Sequence, residues 1–159
     1  MGELCNYIDY CIANEEDAKD VFGIEADNTD IYGGKLDREG YISVAKKLTD
    51  RFNFKGVAIT LRESLSENDN NWSGMLYTDG KAYFSKKYAM HIVDRVGGGD
   101  SFGGGLIYSL MNGFEPQKAI EFAIAASCLK HSVEGDYNMV SVKEVETLAG
   151  GDASGRVQR

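Results

Sequence analysis

The strongest constraint in the chain is the stretch Val93-Asp94-Arg95-Val96-Gly97-Gly98-Gly99-Asp100-Ser101-Phe102-Gly103-Gly104-Gly105-Leu106. Three consecutive glycines run into an aspartate, after which Phe102, Leu106 and Leu110 recur every four positions, the spacing of one helix face. A glycine turn entering a helix leaves backbone amides uncovered at the positive end of the helix dipole. That arrangement makes an anion site from main chain alone. Asp100 and Ser101 both suit the helix start, where a short acceptor side chain satisfies free N–H groups. A carboxylate inside such a site repels a phosphate, unless it takes a proton from a hydroxyl that attacks that phosphate. The pattern therefore points to phosphoryl transfer. Two other glycine motifs do not fit. A dinucleotide fingerprint starting at Gly97 would need glycine where Phe102 stands, and a P-loop would need Ser or Thr where Leu36 follows Gly34-Lys35.

The flanking sequence supplies an α/β frame with a mainly parallel sheet. Leu4, Tyr7 and Ile8 have helical spacing, and Tyr10-Cys11-Ile12-Ala13 reads as a short buried strand. Asn14 opens a helix with Glu15, Glu16 and Asp17 in its first turn, and Gly23 closes it. Residues 26–38 read as a loop, Glu39 to Phe52 as a helix packing through Ile42, Ala45, Leu48 and Phe52, and Gly56 to Leu61 as a core strand. An exposed, turn-rich stretch follows, up to Asn71. Asp79-Gly80 between two β-rich runs marks a hairpin, and Tyr88 to Val93 is a further strand feeding the glycine turn. Strand, glycine turn and helix in that order is the topology in which α/β folds place ligands. Pro116 starts the next helix, which runs to His131 with Ala119, Ala123 and Ala126 as a thin packing face. Ser141 and Glu144 cap the last one.

At 159 residues the chain fits one domain with a substantial core. The net charge of −8 argues against a nucleic-acid surface. No apolar run approaches the roughly 20 residues of a membrane span, and the N-terminal residues lack the pattern of a secretory signal. Cys5, Cys11 and Cys128 form no C-x-x-C pair and read as buried thiols, which suits a cytoplasmic protein. His91 and His131 have no ligand spacing around them that would support zinc.

Asp94-Arg95-Val96-Gly97-Gly98-Gly99-Asp100, with the glycines after it, resembles the second signature of the ribokinase-like (PfkB-type) carbohydrate kinases. Arg95 and the triple glycine are similar to the 2-keto-3-deoxygluconate kinase branch. The resemblance implies a Rossmann-like three-layer α/β/α domain that is incomplete, with residues 1–149 the C-terminal nucleotide-binding half, residues 150–159 a polar tail, and the lid absent. It implies Asp100 as the catalytic base in contact with the sugar, Gly97, Gly98 and Gly99 as the anion hole, and Arg95 as a substrate contact. Thr60, Arg62, Ser64, Ala123, Gly135 and Asn138 align with nucleotide-binding positions. Asn14 and Asp17 align with a motif that positions Mg2+ through water, Asp17 standing where the family has Glu. Where Ile124 stands the family often has Asn, so a polar adenine contact is lost.

The expected reaction is ATP-dependent phosphorylation of a sugar acid. A non-catalytic remnant that folds and binds nucleotide, and a kinase of the ribokinase or fructokinase type, are the alternatives. An unpaired sheet edge or apolar face would lead to self-association or to pairing with a complementing N-terminal half.

Overall fold

The computed structural model describes residues 1–14, 17–24, 38–66 and 68–151. Their elements follow the order α1 (Gly2–Cys5), β1 (Tyr10–Ala13), α2 (Asp17–Phe22), α3 (Arg38–Phe52), β2 (Gly56–Ser64), β3 (Asp69–Thr78), β4 (Lys81–Phe84), β5 (Tyr88–His91), α4 (Gly98–Met111), α5 (Pro116–Lys130) and α6 (Val142–Gly150). Among the described residues the strands form a five-stranded sheet in the order β1-β2-β3-β4, with β5 also paired to β3. The loop expected over residues 26–38 and most of the polar tail lie outside the described residues, apart from Arg38, which begins α3.

The sheet is mixed, which corrects the expectation of a mainly parallel one. β1 and β2 are parallel, Tyr10 opposite Gly56 through Ala13 opposite Ile59. β3 and β5 are antiparallel, Asp69 opposite His91 through Trp72 opposite Tyr88. The connection from β3 to β4 is the two-residue turn Asp79-Gly80, both at positive φ (50° and 73°), as a type I′ hairpin demands.

The contacts divide the chain into two compact units. The first comprises Met1–Leu61 and Met75–Tyr83, the second Arg62–Gly74 and Phe84–Arg159. In the first unit α3 buries Tyr41, Val44, Ala45, Leu48 and Phe52. Tyr41 and Val44 escaped the sequence reading, and Ile42, which it included, is only half-buried. Phe52 packs against Phe22 and Phe54 with tilted rings, the centroids at 4.9 and 5.4 Å. β1 is short as expected but only its last residue, Ala13, is buried, and Ile12 is 44% exposed. The N-terminal helix covers only Gly2–Cys5 and leaves Leu4, Tyr7 and Ile8 exposed. The turn-rich stretch before Asn71 is shorter than expected too: β2 runs on through Arg62, Glu63 and Ser64, and β3 already begins at Asp69.

The second unit is organised around α5, which is buried on nearly every side from Ala119 to Lys130 rather than along one thin face. Glu115 precedes it and Pro116 occupies its first turn, where a missing N–H costs nothing. α4 lies across α5 so closely that a Cβ at Gly105 would sit 3.0 Å from Ala123 Cα and 3.2 Å from the Ala126 Cβ. Phe122, Ala125, Ala126, Leu129 and Val145 then join α5 to α6. The capping box of α6 forms as expected: Ser141 N–H donates to Glu144 at 2.8 Å, and Glu144 N–H donates to Ser141 Oγ at 3.3 Å.

The helix crossing separates two neighbouring glycines by consequence. A Cβ at Gly104 meets nothing within 4 Å. Gly104→Ala should therefore stabilise the protein by up to about 1 kcal/mol through helix propensity. Gly105→Leu should destabilise it by about 2 kcal/mol or more, because the α4–α5 contact must open. Urea unfolding midpoints of the two variants check this, and equal midpoints would contradict the packing.

Candidate active site

The glycine turn is set by Gly97, whose φ of +76° places it in the left-handed region. Gly97 is the residue that caps α4. Neither Asp100 nor Ser101 does so, which corrects that expectation; the helix starts at Gly98, placing Asp100 at its third residue, and no side chain bonds to the free helix end. Ser101 N–H donates to Gly97 O at 2.9 Å, and Gly98 N–H reaches Arg95 O only at 3.4 Å. Among the described residues the N–H groups of Gly97, Gly99 and Asp100 have no acceptor, so they remain available at the positive helix end. The Asp100 carboxylate is exposed and makes no hydrogen bond to a described residue. Free donors and a free carboxylate thus occupy one turn of backbone.

What holds this turn in shape was not legible beforehand. Asp94 Oδ1 accepts from Val96 N–H at 3.0 Å, and Oδ2 accepts from Gly135 N–H at 2.8 Å. Those two backbone donors keep the Asp94 carboxyl below the usual carboxylate range. The last turn of α5 presses from beneath. Ser127 Oγ donates to Gly98 O at 2.8 Å, and Val93 N–H donates to His131 O at 2.9 Å. A Cβ at Gly98 would overlap the His131 imidazole, and one at Gly97 would overlap the Asp136 carbonyl. Lys130 is fully buried, donates through Nζ to Val133 O at 2.9 Å, and brings its Cε to 3.2 Å from the position of a Gly97 Cβ.

His131 is buried and packs on Trp72, with ring centroids 5.2 Å apart. Its Nδ1 lies 2.7 Å from Ser127 O, an atom that only accepts, so Nδ1 carries the proton. Burial holds its pKa below the ordinary value, and the nearby Lys130, Arg95 and Arg62 charges act in the same direction. Burial raises the Cys128 thiol as well, and pushes Cys11 up to about 11, with help from Cys5 and Asp17. The cysteines are free thiols; Cys5 and Cys128 are buried as expected, while Cys11 is only partly so.

Arg62 and Ser64 end β2, both exposed, and Thr60 lies half-buried in the part of β2 that belongs to the first unit. Arg95 is exposed and contacts Asn70, a fully buried residue of β3 that the sequence placed in an exposed turn. Gly135 is fixed by Asp94 and has φ +79°, a conformation suited to glycine. Asn138 Nδ2 donates to Ala126 O at 3.4 Å, while its buried Oδ1 has no partner. Ala123 is fully buried against Gly105, so it packs two helices together and has no surface to offer a nucleotide. Ile124 is equally buried and lies against Gly74.

Asn14 and Asp17 lie in the first unit and cap α2 reciprocally: Asp17 N–H donates to Asn14 Oδ1 at 2.9 Å, and Asn14 N–H to Asp17 Oδ2 at 2.8 Å. The described residues contain no cluster of three or more His, Cys, Asp or Glu side chains able to hold a metal directly. A rigidly held lone carboxylate fits magnesium only through water. Among the described residues no helix is long and apolar enough to cross a membrane.

The model of the pfkB family of carbohydrate kinases matches residues 1–143. The chain belongs to this family. A 2-dehydro-3-deoxygluconokinase from Thermotoga maritima superposes with a TM-score of 0.87 at 49% identity, over 94% of this chain and 43% of that one. The 2-dehydro-3-deoxygalactonokinase of Haloferax volcanii is 27% identical over 147 residues, 92% of this chain and 40% of its own length. A ribokinase from Thermotoga maritima, 21% identical with a TM-score of 0.68 over 95% of this chain and 45% of that one, shares the fold. The fold is thus the ribokinase-like α/β type, and the chain spans less than half the length of these relatives.

The neutral, buried state of His131 gives stability a definite pH dependence. Its folded pKa is depressed, so the unfolded chain binds the proton first as pH falls through about 6.5. This contribution is fully present above that pH and is lost below it. Urea midpoints at pH 7.5 and 5.5 should show lower stability at pH 5.5, and His131→Gln should flatten the difference. An unchanged pH slope in that variant would contradict the assignment.

Proposed function

We propose that this chain forms the nucleotide-binding and phosphoryl-transfer part of an ATP-dependent kinase for a keto-deoxy sugar acid, with 2-keto-3-deoxygluconate as the preferred acceptor. The observation that carries the reading is the unpaired Asp100 carboxylate beside the free amides of Gly97 and Gly99. The relatives from Thermotoga maritima and Haloferax volcanii, each named for a kinase of such an acid, support the substrate class.

In this reading Asp100 accepts the proton of the attacking hydroxyl as the new oxygen–phosphorus bond forms and the bond from the γ-phosphorus to the bridging oxygen breaks, ADP leaving with that electron pair. The N–H groups of Gly97, Gly99 and Asp100 point fixed partial charges at the transferring phosphoryl group, with Gly98 completing the turn. They need no rearrangement as negative charge develops, which is where such donors contribute most. Arg95 would receive the carboxylate of the acid, and Arg62 and Ser64 the nucleotide phosphates. Gly135 and the unpartnered Asn138 Oδ1 would face the nucleotide base. Magnesium, when bound with the nucleotide, neutralises phosphate charge.

Calorimetric titration with Mg-ATP and steady-state kinetics of the full-length protein test this. Asp100→Asn should lower kcat by about 10²-fold or more, as expected for loss of a general base, while ATP affinity stays within about twofold. A kcat within about threefold of wild type would remove Asp100 from that role. A folded protein that binds no Mg-ATP would overturn the nucleotide reading itself.

A further inference from the structure

A lysine in the last turn of a helix ordinarily carries its ammonium out to water along an apolar stem. Lys130, the last residue of α5, does not. It is 0% exposed, and among the described residues it is the only buried lysine or arginine. An ammonium has three N–H donors, and among the described residues Val133 O, at 2.9 Å, is the acceptor for one of them. No carboxylate of a described residue lies within ion-pairing distance of Nζ. The bond to Val133 makes burial tolerable without making it favourable, since methionine would fill the same space with no charge to desolvate. Packing alone does not account for a lysine here.

Its surroundings show what the charge acts on. Cε reaches to 3.2 Å from where a Gly97 Cβ would stand, so the ammonium, one bond further, lies against the glycine turn. Asp94 is on the same turn and needs a negative charge for its own task, which is to accept from the N–H groups of both Val96 and Gly135. A carboxylate so close to an anion site repels the phosphoryl group that the free amides are placed to receive. The Lys130 charge acts on that carboxyl, adding to the backbone donors that hold it low. His131 beside it is neutral and offers no such compensation.

We infer that Lys130 is a positioning residue for phosphoryl transfer, whose buried ammonium offsets the Asp94 carboxylate and so keeps the amides of Gly97, Gly99 and Asp100 receptive to the γ-phosphoryl group. The inference rests on the phosphoryl-transfer reading given above.

The test uses the full-length protein with Mg-ATP, Mg-ADP and 2-keto-3-deoxygluconate. Lys130→Met keeps the length of the side chain and removes the charge; Lys130→Gln also keeps a donor for Val133 O. The urea midpoint of Lys130→Met should equal or exceed that of wild type, because an apolar replacement for a buried charge is often neutral or stabilising. In both variants kcat should fall about tenfold, less than the roughly 10²–10³-fold that follows removal of a direct donor. Calorimetry should show ATP binding about tenfold more weakly, while ADP, which lacks the γ-phosphoryl group, stays within about twofold. In an Asp94→Asn background, with no carboxylate left to offset, Lys130→Met should weaken ATP by less than about threefold.

Wild-type kcat and ATP affinity in Lys130→Gln would mean that the bond to Val133 suffices, and would overturn the inference while leaving the kinase reading intact. A lowered urea midpoint with ATP and ADP weakened alike would do the same, as would an undiminished loss of ATP affinity in the Asp94→Asn background. A folded wild-type protein that binds no Mg-ATP would overturn the phosphoryl-transfer reading, and the inference with it.

Discussion

The last turn of α5 pressing on the glycine turn is the contact on which the candidate site depends. A run of three glycines has no side chains with which to define its own path, and its backbone entropy opposes any single conformation. Here the definition is supplied from outside. Ser127 holds the Gly98 carbonyl, the His131 ring fills the space a side chain at Gly98 would take, and Asp94 bridges the turn to Gly135. The free amides are therefore arranged by the protein itself, which is the condition for electrostatic stabilisation without reorganisation.

The same contact explains why α5 is buried almost all round. A helix that packs α4 on one side, α6 on another and the glycine turn at its end leaves little beyond its first turn, Gln117 and Lys118, to solvent. Its composition follows: small residues at Ala119, Ala123 and Ala126 allow close approach, and Gly105 answers Ala123 from α4. Polar groups near its end survive burial only because each has a designated partner, Lys130 with Val133 and His131 with Ser127.

Much of this was legible in the sequence because local rules sufficed. Asp79-Gly80 predicted its hairpin, Pro116 its helix start, and Ser141 with Glu144 their capping box. The glycine turn leading into a helix emerged from the same kind of reading, and the signature around it led to the family that the match over residues 1–143 then established. Most of the failures are non-local. Asp69, Asn70 and Asn71 have the composition of a turn, yet pairing with β5 and the buried bonds of Asn70 place them in a strand. Asp100 looked like the cap of α4, but Gly97 in a left-handed conformation takes that place and leaves the carboxylate unbonded. Lys130, His131 and Asp94 carry no pattern of their own, because their significance lies in residues far along the chain. A signal existed only for Asp94, as the first residue of the signature.

The bracing of the glycine turn also has a consequence in time. The type I′ hairpin between β3 and β4 closes on itself within a few residues and belongs to the fast, local events of folding. The turn cannot: the hydroxyl that holds Gly98 lies 29 residues later in the chain, and the amide that holds Asp94 lies 41 residues later. During synthesis the triple glycine emerges well before the segments that give it a shape, and loop closure over such separations is entropically slow. The anion-binding geometry is thus a late product of folding, formed only when α5 and the loop after it have docked.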